Sequence, residues 1–211
     1  MTTELLQTLP VFAPLFLRGL LVNLTLAAQA LMLGLPVGWM LGGLCRLRQP
    51  ALRRSAGSIA RLLVALMRAA PAFVVMHVLL HARPARWAIS AEQAVVLSLA
   101  AFAAAYVADQ LRTRPSRSSA RRRGNARLFL TGLVRVYVVM VLSSGFGAAI
   151  GVTDATAVTL RALAQLSTTS DRLWLIGGVV LVFFLLRQGI HGLIGLIARL
   201  PARPARDALP E

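Results

Sequence analysis

Long apolar stretches separated by arginine-rich or small polar connectors are the dominant pattern along this chain. Five of them approach or exceed the roughly 20 residues a helix needs to cross the hydrocarbon core. They run from about Gly19 to Leu44, Ile59 to Leu80, Ala91 to Leu111, Leu128 to Ile150 and Leu173 to Ile194. A helix satisfies its own backbone hydrogen bonds where no water is available, so the pattern predicts an all-α integral membrane helical bundle of about five transmembrane helices. Glycines recur in the first stretch at Gly34, Gly38, Gly42 and Gly43. Small residues at four-residue spacing let a second helix approach closely, which predicts a packing seam on that face.

The connectors alternate in charge. Arg46, Arg48, Arg53 and Arg54 follow the first stretch, and Arg112, Arg114, Arg117, Arg121, Arg122, Arg123 and Arg127 follow the third. The intervening segments are poorer, holding Arg18, Arg83, Arg86, Arg161 and Arg172, and the tail restores the alternation with Arg199, Arg203 and Arg206. Basic short loops stay in the cytoplasm, so the N-terminus is expected outside and the C-terminus cytoplasmic, in a bacterial inner (plasma) membrane. A four-span arrangement would put a strongly basic loop on the wrong face. The segment from Arg112 to Arg127, rich in Arg and Ser and lacking apolar periodicity, is expected to be a flexible loop. Residues 1–200 read as one transmembrane domain and 201–211 as a disordered cytoplasmic tail. No cleavable leader is expected, because Glu4 stands where a basic region would, and the first long apolar run exceeds a signal core.

Composition agrees: 57% hydrophobic residues and a mean hydropathy of +0.72 exceed what a soluble domain covers with polar surface. A formal charge of +16 would ordinarily point to nucleic acid. Here every basic residue is arginine and most flank the apolar runs, so membrane lipid is the expected neighbour and no nucleic acid is expected. The lone Cys45 cannot close an internal disulfide and is read as a packing residue.

Few residues could carry chemistry. Arg68 falls near the middle of the second stretch, where a charge costs about 2.5 to 3.5 kcal/mol on insertion scales. Something must offset that cost. Pro71 frees a carbonyl one turn earlier and can break the helix, which membrane interiors tolerate only beside protein or a water-filled cavity. Arg68 either faces a polar substrate path or reaches an interface from the end of a span. Asp109 and Arg112 are three apart on one helix, a spacing that permits a local salt bridge and could simply finish the helix. His77 and His81 have a metal-compatible spacing, but no carboxylate or cysteine lies close by in sequence, so no metal is expected. His191, near Arg187 and Gln188, belongs to the polar end of the last stretch. No phosphate loop, nucleophile elbow or carboxylate pair is present, so neither an enzyme nor a cofactor site is expected.

Four motifs, spread over roughly residues 15 to 200, resemble the permease subunits of polar amino acid ABC transporters of the glutamine and histidine type. Gly19-Leu20-Leu21-Val22-Asn23-Leu24-Thr25-Leu26, with Gly34, Gly38 and Arg46 beyond it, is similar to that family's opening span. Arg68-Ala69-Ala70-Pro71 resembles Arg-Gly-Thr-Pro. Ala104-Ala105-Tyr106 through Arg112 resembles Ala-Ala-Tyr-x-x-Glu-x-x-Arg, with Asp109 in place of glutamate, and Ile150-Gly151-Val152-Thr153-Asp154 resembles Ile-Gly-Val-Pro-Glu. The resemblance implies a permease subunit of an importer for polar amino acids or similar small polar solutes. Its expected partners are a second permease subunit, cytoplasmic ATPase subunits and a periplasmic solute-binding protein. Arg68 and Pro71 would border the substrate path, and Asp109 and Arg112 would be what remains of the ATPase-coupling element. Two departures stand out. The family's Gly-Gln-x-Glu-Ala-Ala coupling loop is replaced by Thr113-Arg114-Pro115-Ser116-Arg117-Ser118-Ser119-Ala120-Arg121-Arg122-Arg123-Gly124, and Leu142-Ser143-Ser144-Gly145 stands where Lys-Asp-Thr-Ser is common. The alternative is therefore a non-transporting, degenerate relative that serves as an assembly or regulatory membrane subunit. No internal duplication is visible, so a complete path needs a second copy or a partner chain.

Overall fold

A computed structural model describes residues 3–46, 50–82, 88–113 and 119–199. Among them every regular element is helical: α1 (Thr3–Cys45), α2 (Pro50–Ala69), α3 (Ala72–His81), α4 (Ala91–Thr113), α5 (Ser119–Ser144), α6 (Ala155–Gln165) and α7 (Thr169–Arg199), with a 3-10 helix over Gly145–Ile150. Arg48, Arg83, Arg86, Arg114, Arg117, Arg203, Arg206 and the tail 201–211 lie outside the described residues. Four stretches are single helices long and apolar enough to cross a bilayer, and the pair α2–α3 makes a fifth if counted as one span. That pair is bent by 100°. The cause is Pro71, whose ring forces the preceding residue out of the helical region and which offers no N–H to continue the ladder. It sits at φ −61°, ψ 128° as the residue capping α3.

The glycine repeat is the seam between α1 and α4. A Cβ at Gly34 would stand 2.6 Å from the Ala103 Cβ, and one at Gly38 would stand 2.6 Å from the Ala104 carbonyl oxygen. Gly42 meets Leu111 in the same way, whereas Gly43 faces open space. Below and beside the seam, Leu26 and Ala30 of α1, Met76 of α3, Leu99 of α4 and Met140 of α5 form the main core.

Three elements differ from the sequence-based expectation. Helix α1 starts at Thr3, well before Gly19, and runs through Pro10, Pro14 and Pro36. The polar Arg18 lies on its exposed side, while Leu5, Phe12, Phe16 and Leu20 form a buried stripe against Ala155, Val158 and Leu175, so packing carries the helix past the charge. The segment 119–127, expected to be loop, is the start of α5. Arginine and alanine are good helix formers, so a run of them can be helical without an apolar period. Helix α6 was not anticipated. At eleven residues it is too short to span. It begins where Gly151, at φ 97°, ends the 3-10 helix and Asp154 caps the next one by accepting a hydrogen bond from Ala157 N–H at 2.8 Å. Helix α7 leans on α1 through Leu175 and the edge-on ring pair Phe16–Phe183, with centroids 6.2 Å apart, while Trp174, Val180 and Leu185 stay exposed.

Candidate functional site

Two polar groupings join motifs far apart in sequence. In the first, the break at Pro71 ends α2 just beyond Arg68 and turns α3 back along α4, where the Ser98 hydroxyl donates to the Ala72 carbonyl at 2.8 Å. Arg68 thereby reaches α4, and its Nη1 donates to Asp109 Oδ2 at 2.6 Å. Arg112 Nη1 donates to the other oxygen, Oδ1, at 3.4 Å, the local pair its spacing allows. One carboxylate therefore sits between two guanidiniums. The Arg68 side chain is 64% exposed and that of Asp109 26%, so the pair borders the surface and is not sealed in the core. One turn before Asp109, Tyr106 accepts a hydrogen bond from Gln110 Nε2 at 3.2 Å. Its hydroxyl occupies the space that a side chain at Gly132 of α5 would need.

The second grouping is fully buried. Asn23 on α1 donates from Nδ2 to Ser144 Oγ at 2.7 Å and to Asp154 Oδ2 at 3.2 Å, while its Oδ1 accepts from Ala155 N–H at 3.1 Å. Ser144 passes its own hydroxyl hydrogen to the Val141 carbonyl at 2.7 Å. These side chains are all 0% exposed, and among the described residues no buried side-chain polar atom lacks a partner. Gly19 permits the contact, since a Cβ there would meet the Ala155 nitrogen at 2.5 Å. Desolvation pushes the Asp154 carboxyl, which lies beyond the end of the fourth span, above the usual carboxylate range, against the hydrogen bonds from Ala157 and Asn23.

At the opposite end of α1, a groove of about 600 Å³ opens between the helix start and α6. Its polar lining comprises Glu4, Gln7, Thr8, Thr153, Arg161 and Gln165; Arg68 and Pro71 are not part of it. Glu4 Oε2 accepts from the Ser167 hydroxyl at 2.7 Å, tying the start of α1 to the α6–α7 connector. The sequence carries little sign of this groove, because its residues are ordinary polar ones gathered by an unanticipated helix. His77 and His81 stack with ring centroids 4.4 Å apart, and His81 Nδ1 lies 3.0 Å from the His77 carbonyl oxygen. Among the described residues no group of three His, Cys, Asp or Glu is placed to hold a metal.

The chain therefore joins its Arg68 and Asp109 motifs in a partly exposed ion pair and its Asn23 and Asp154 motifs in a buried hydrogen-bond network. No protein-family model and no curated protein sequence matches it. Its fold does match solved structures. One is the crystal structure of an amino acid ABC transporter with histidines, at a TM-score of 0.73 and 19% identity, the match covering 94% of this chain and 99% of that one. Another is the MetNI methionine ABC transporter in inward-facing conformations, at a TM-score of 0.60 and 15% identity, covering 94% of this chain and 100% of that one. The chain is thus a multi-pass, all-helical membrane protein with the fold of an ABC transporter permease.

Proposed function

We propose that this protein is the membrane-spanning permease subunit of an ABC importer for polar amino acids or similar small polar solutes. The observation that carries the reading is the ion pair between Arg68 and Asp109. Those two residues come from two of the motifs that resemble the family, and they meet in a chain whose fold is that of an ABC permease. In this reading Arg68 and Pro71 border the substrate path at the broken helix, and Asp109 with Arg112 is the surviving part of the coupling element. A second permease subunit completes the path, ATPase subunits dock from the cytoplasm, and a solute-binding protein delivers from the other face.

A second reading has its own support. Only residues 114–118 separate the end of α4 from the start of α5. The family's Gly-Gln-x-Glu-Ala-Ala pattern is missing there, and the helical residues 119–127 continue straight into the fourth apolar stretch. A chain of this kind would act as a non-transporting assembly or regulatory subunit, or would transport only beside a partner that carries the intact loop. Reconstitution separates the cases. With ATPase subunits in vesicles, the chain alone is expected to give no substrate-dependent ATP turnover, and adding a permease partner with an intact loop is expected to restore it. Continued silence of the mixed complex would favour the non-transporting subunit. In the active complex, Arg68→Leu should leave membrane insertion intact and abolish uptake; unchanged uptake would reject the path role of Arg68.

A further inference from the structure

The bend at Ala70 and Pro71 leaves α2 with surfaces that the contact to Asp109 does not use. Three faces follow its helical period. Gly57, Ala60 and Val64 are buried, the latter two packed with Leu41 of α1 and Ala105 and Ala108 of α4, near the ends where those helices finish. Ile59, Leu62, Leu63 and Leu66, at spacing i, i+3, i+4, i+7, are 59%, 60%, 40% and 56% exposed, so a continuous apolar stripe has no cover among the described residues. Ser58 and Arg61 lie on the third face, where Arg61 Nη2 donates to Ser58 Oγ at 2.9 Å and makes no ion pair among the described residues.

A helix that runs upright through hydrocarbon has no use for a basic face, because a charge there is costly. A helix lying along the membrane surface needs just this division: an apolar stripe toward the acyl chains, a basic edge toward the headgroups and a third side against the protein. The perpendicular break gives α2 that freedom, since α3 turns away by 100° to pack on α4. We propose that α2 lies in the plane of the leaflet that meets the C-terminal ends of α1 and α4. Ile59, Leu62, Leu63 and Leu66 enter its acyl region, and Arg61 binds the phosphate of an anionic phospholipid. The sequence supports the charge argument further along the same helix, at Arg53 and Arg54. The proposal is tested without any measurement of transport.

The full chain in nanodiscs tests it in two ways. In a Cys45→Ser background, fluorophores at Ile59→Cys and Leu66→Cys are quenched by lipids spin-labelled at graded depths. An in-plane α2 places both labels at one shallow depth, whereas an upright α2 separates them by about 10 Å. Separately, spin-labelled phosphatidylglycerol competes with phosphatidylcholine for the protein surface. Arg61→Gln is expected to lower the preference for phosphatidylglycerol about fivefold, and Arg61→Lys to keep it. Labels separated by a depth near the upright value overturn the proposal. So does an Arg61→Gln protein that retains the wild-type preference, which would leave the face to a protein subunit. So does an equal loss in Arg61→Lys, which would assign the effect to packing. The depth measurement needs no change at Arg61, so poor folding of that variant leaves it standing.

Discussion

A guanidinium in the second apolar stretch has to be compensated, and Asp109, 41 residues further on, provides the carboxylate. Exposed ion pairs contribute about 0 to 1 kcal/mol, and part of this one faces outward. Asp109→Ala should therefore lower stability by about 1 kcal/mol. Adding Arg68→Leu should recover part of the loss, because one of the two guanidiniums deprived of the carboxylate then disappears. Thermal unfolding of the four proteins of this cycle measures the coupling, and additive effects would show that the pair contributes nothing. Asn23 is a sterner case. Its removal leaves the Ala155 N–H without its partner and takes the donor from Oδ2 of the buried Asp154 carboxyl, which keeps Ala157 N–H on Oδ1. Asn23→Leu is expected to cost about 3 kcal/mol in the same measurement, since each buried group left unsatisfied costs about 1 to 3 kcal/mol. Neither partnership could be read from the motifs one at a time. A charge in an apolar run announces that a partner exists and leaves its address open.

At the scale of elements, the α1–α4 seam was legible because small residues every fourth position lie on one helix face whatever the partner turns out to be. Which glycines do the packing was not. Gly38→Leu should destabilise the fold severely, as its Cβ would press on the Ala104 backbone, while Gly43→Leu, with nothing within 4 Å, should be tolerated. Yield and melting temperature of the two purified variants decide this, and equal behaviour would argue against the seam. Pro71 marked its break in advance, since a missing N–H is a local fact. The added turns of α1, the first turns of α5 and the whole of α6 were hidden. Arg18 and the arginine run interrupt hydropathy without interrupting the helix, and an eleven-residue helix leaves no span-length signal.

For the whole molecule, the arginine alternation implies a definite orientation. A reporter active only in the cytoplasm should be active when fused after Glu211 and silent when fused before Met1. Activity at both ends would require an even number of crossings and would undo both the orientation and the transport reading. The fold constrains function at this scale as well. In the proposed transport reading, a chain with no internal duplication would supply half of a path, and a second copy or a partner chain would supply the rest.

The sequence alone determined that this chain is a helical membrane protein with about five apolar stretches of span length, one small-residue seam and one stretch broken at a proline. Hydropathy, backbone self-satisfaction and the proline ring act along the chain and need no knowledge of what lies opposite. Only the tertiary structure decided that Arg68 belongs to Asp109, that Asn23 clasps Ser144 and Asp154, and that the break turns through 100° and frees a three-faced α2. Those outcomes depend on which helix faces meet and at what height. Distances across a bundle are set by packing between elements, and no linear pattern encodes them.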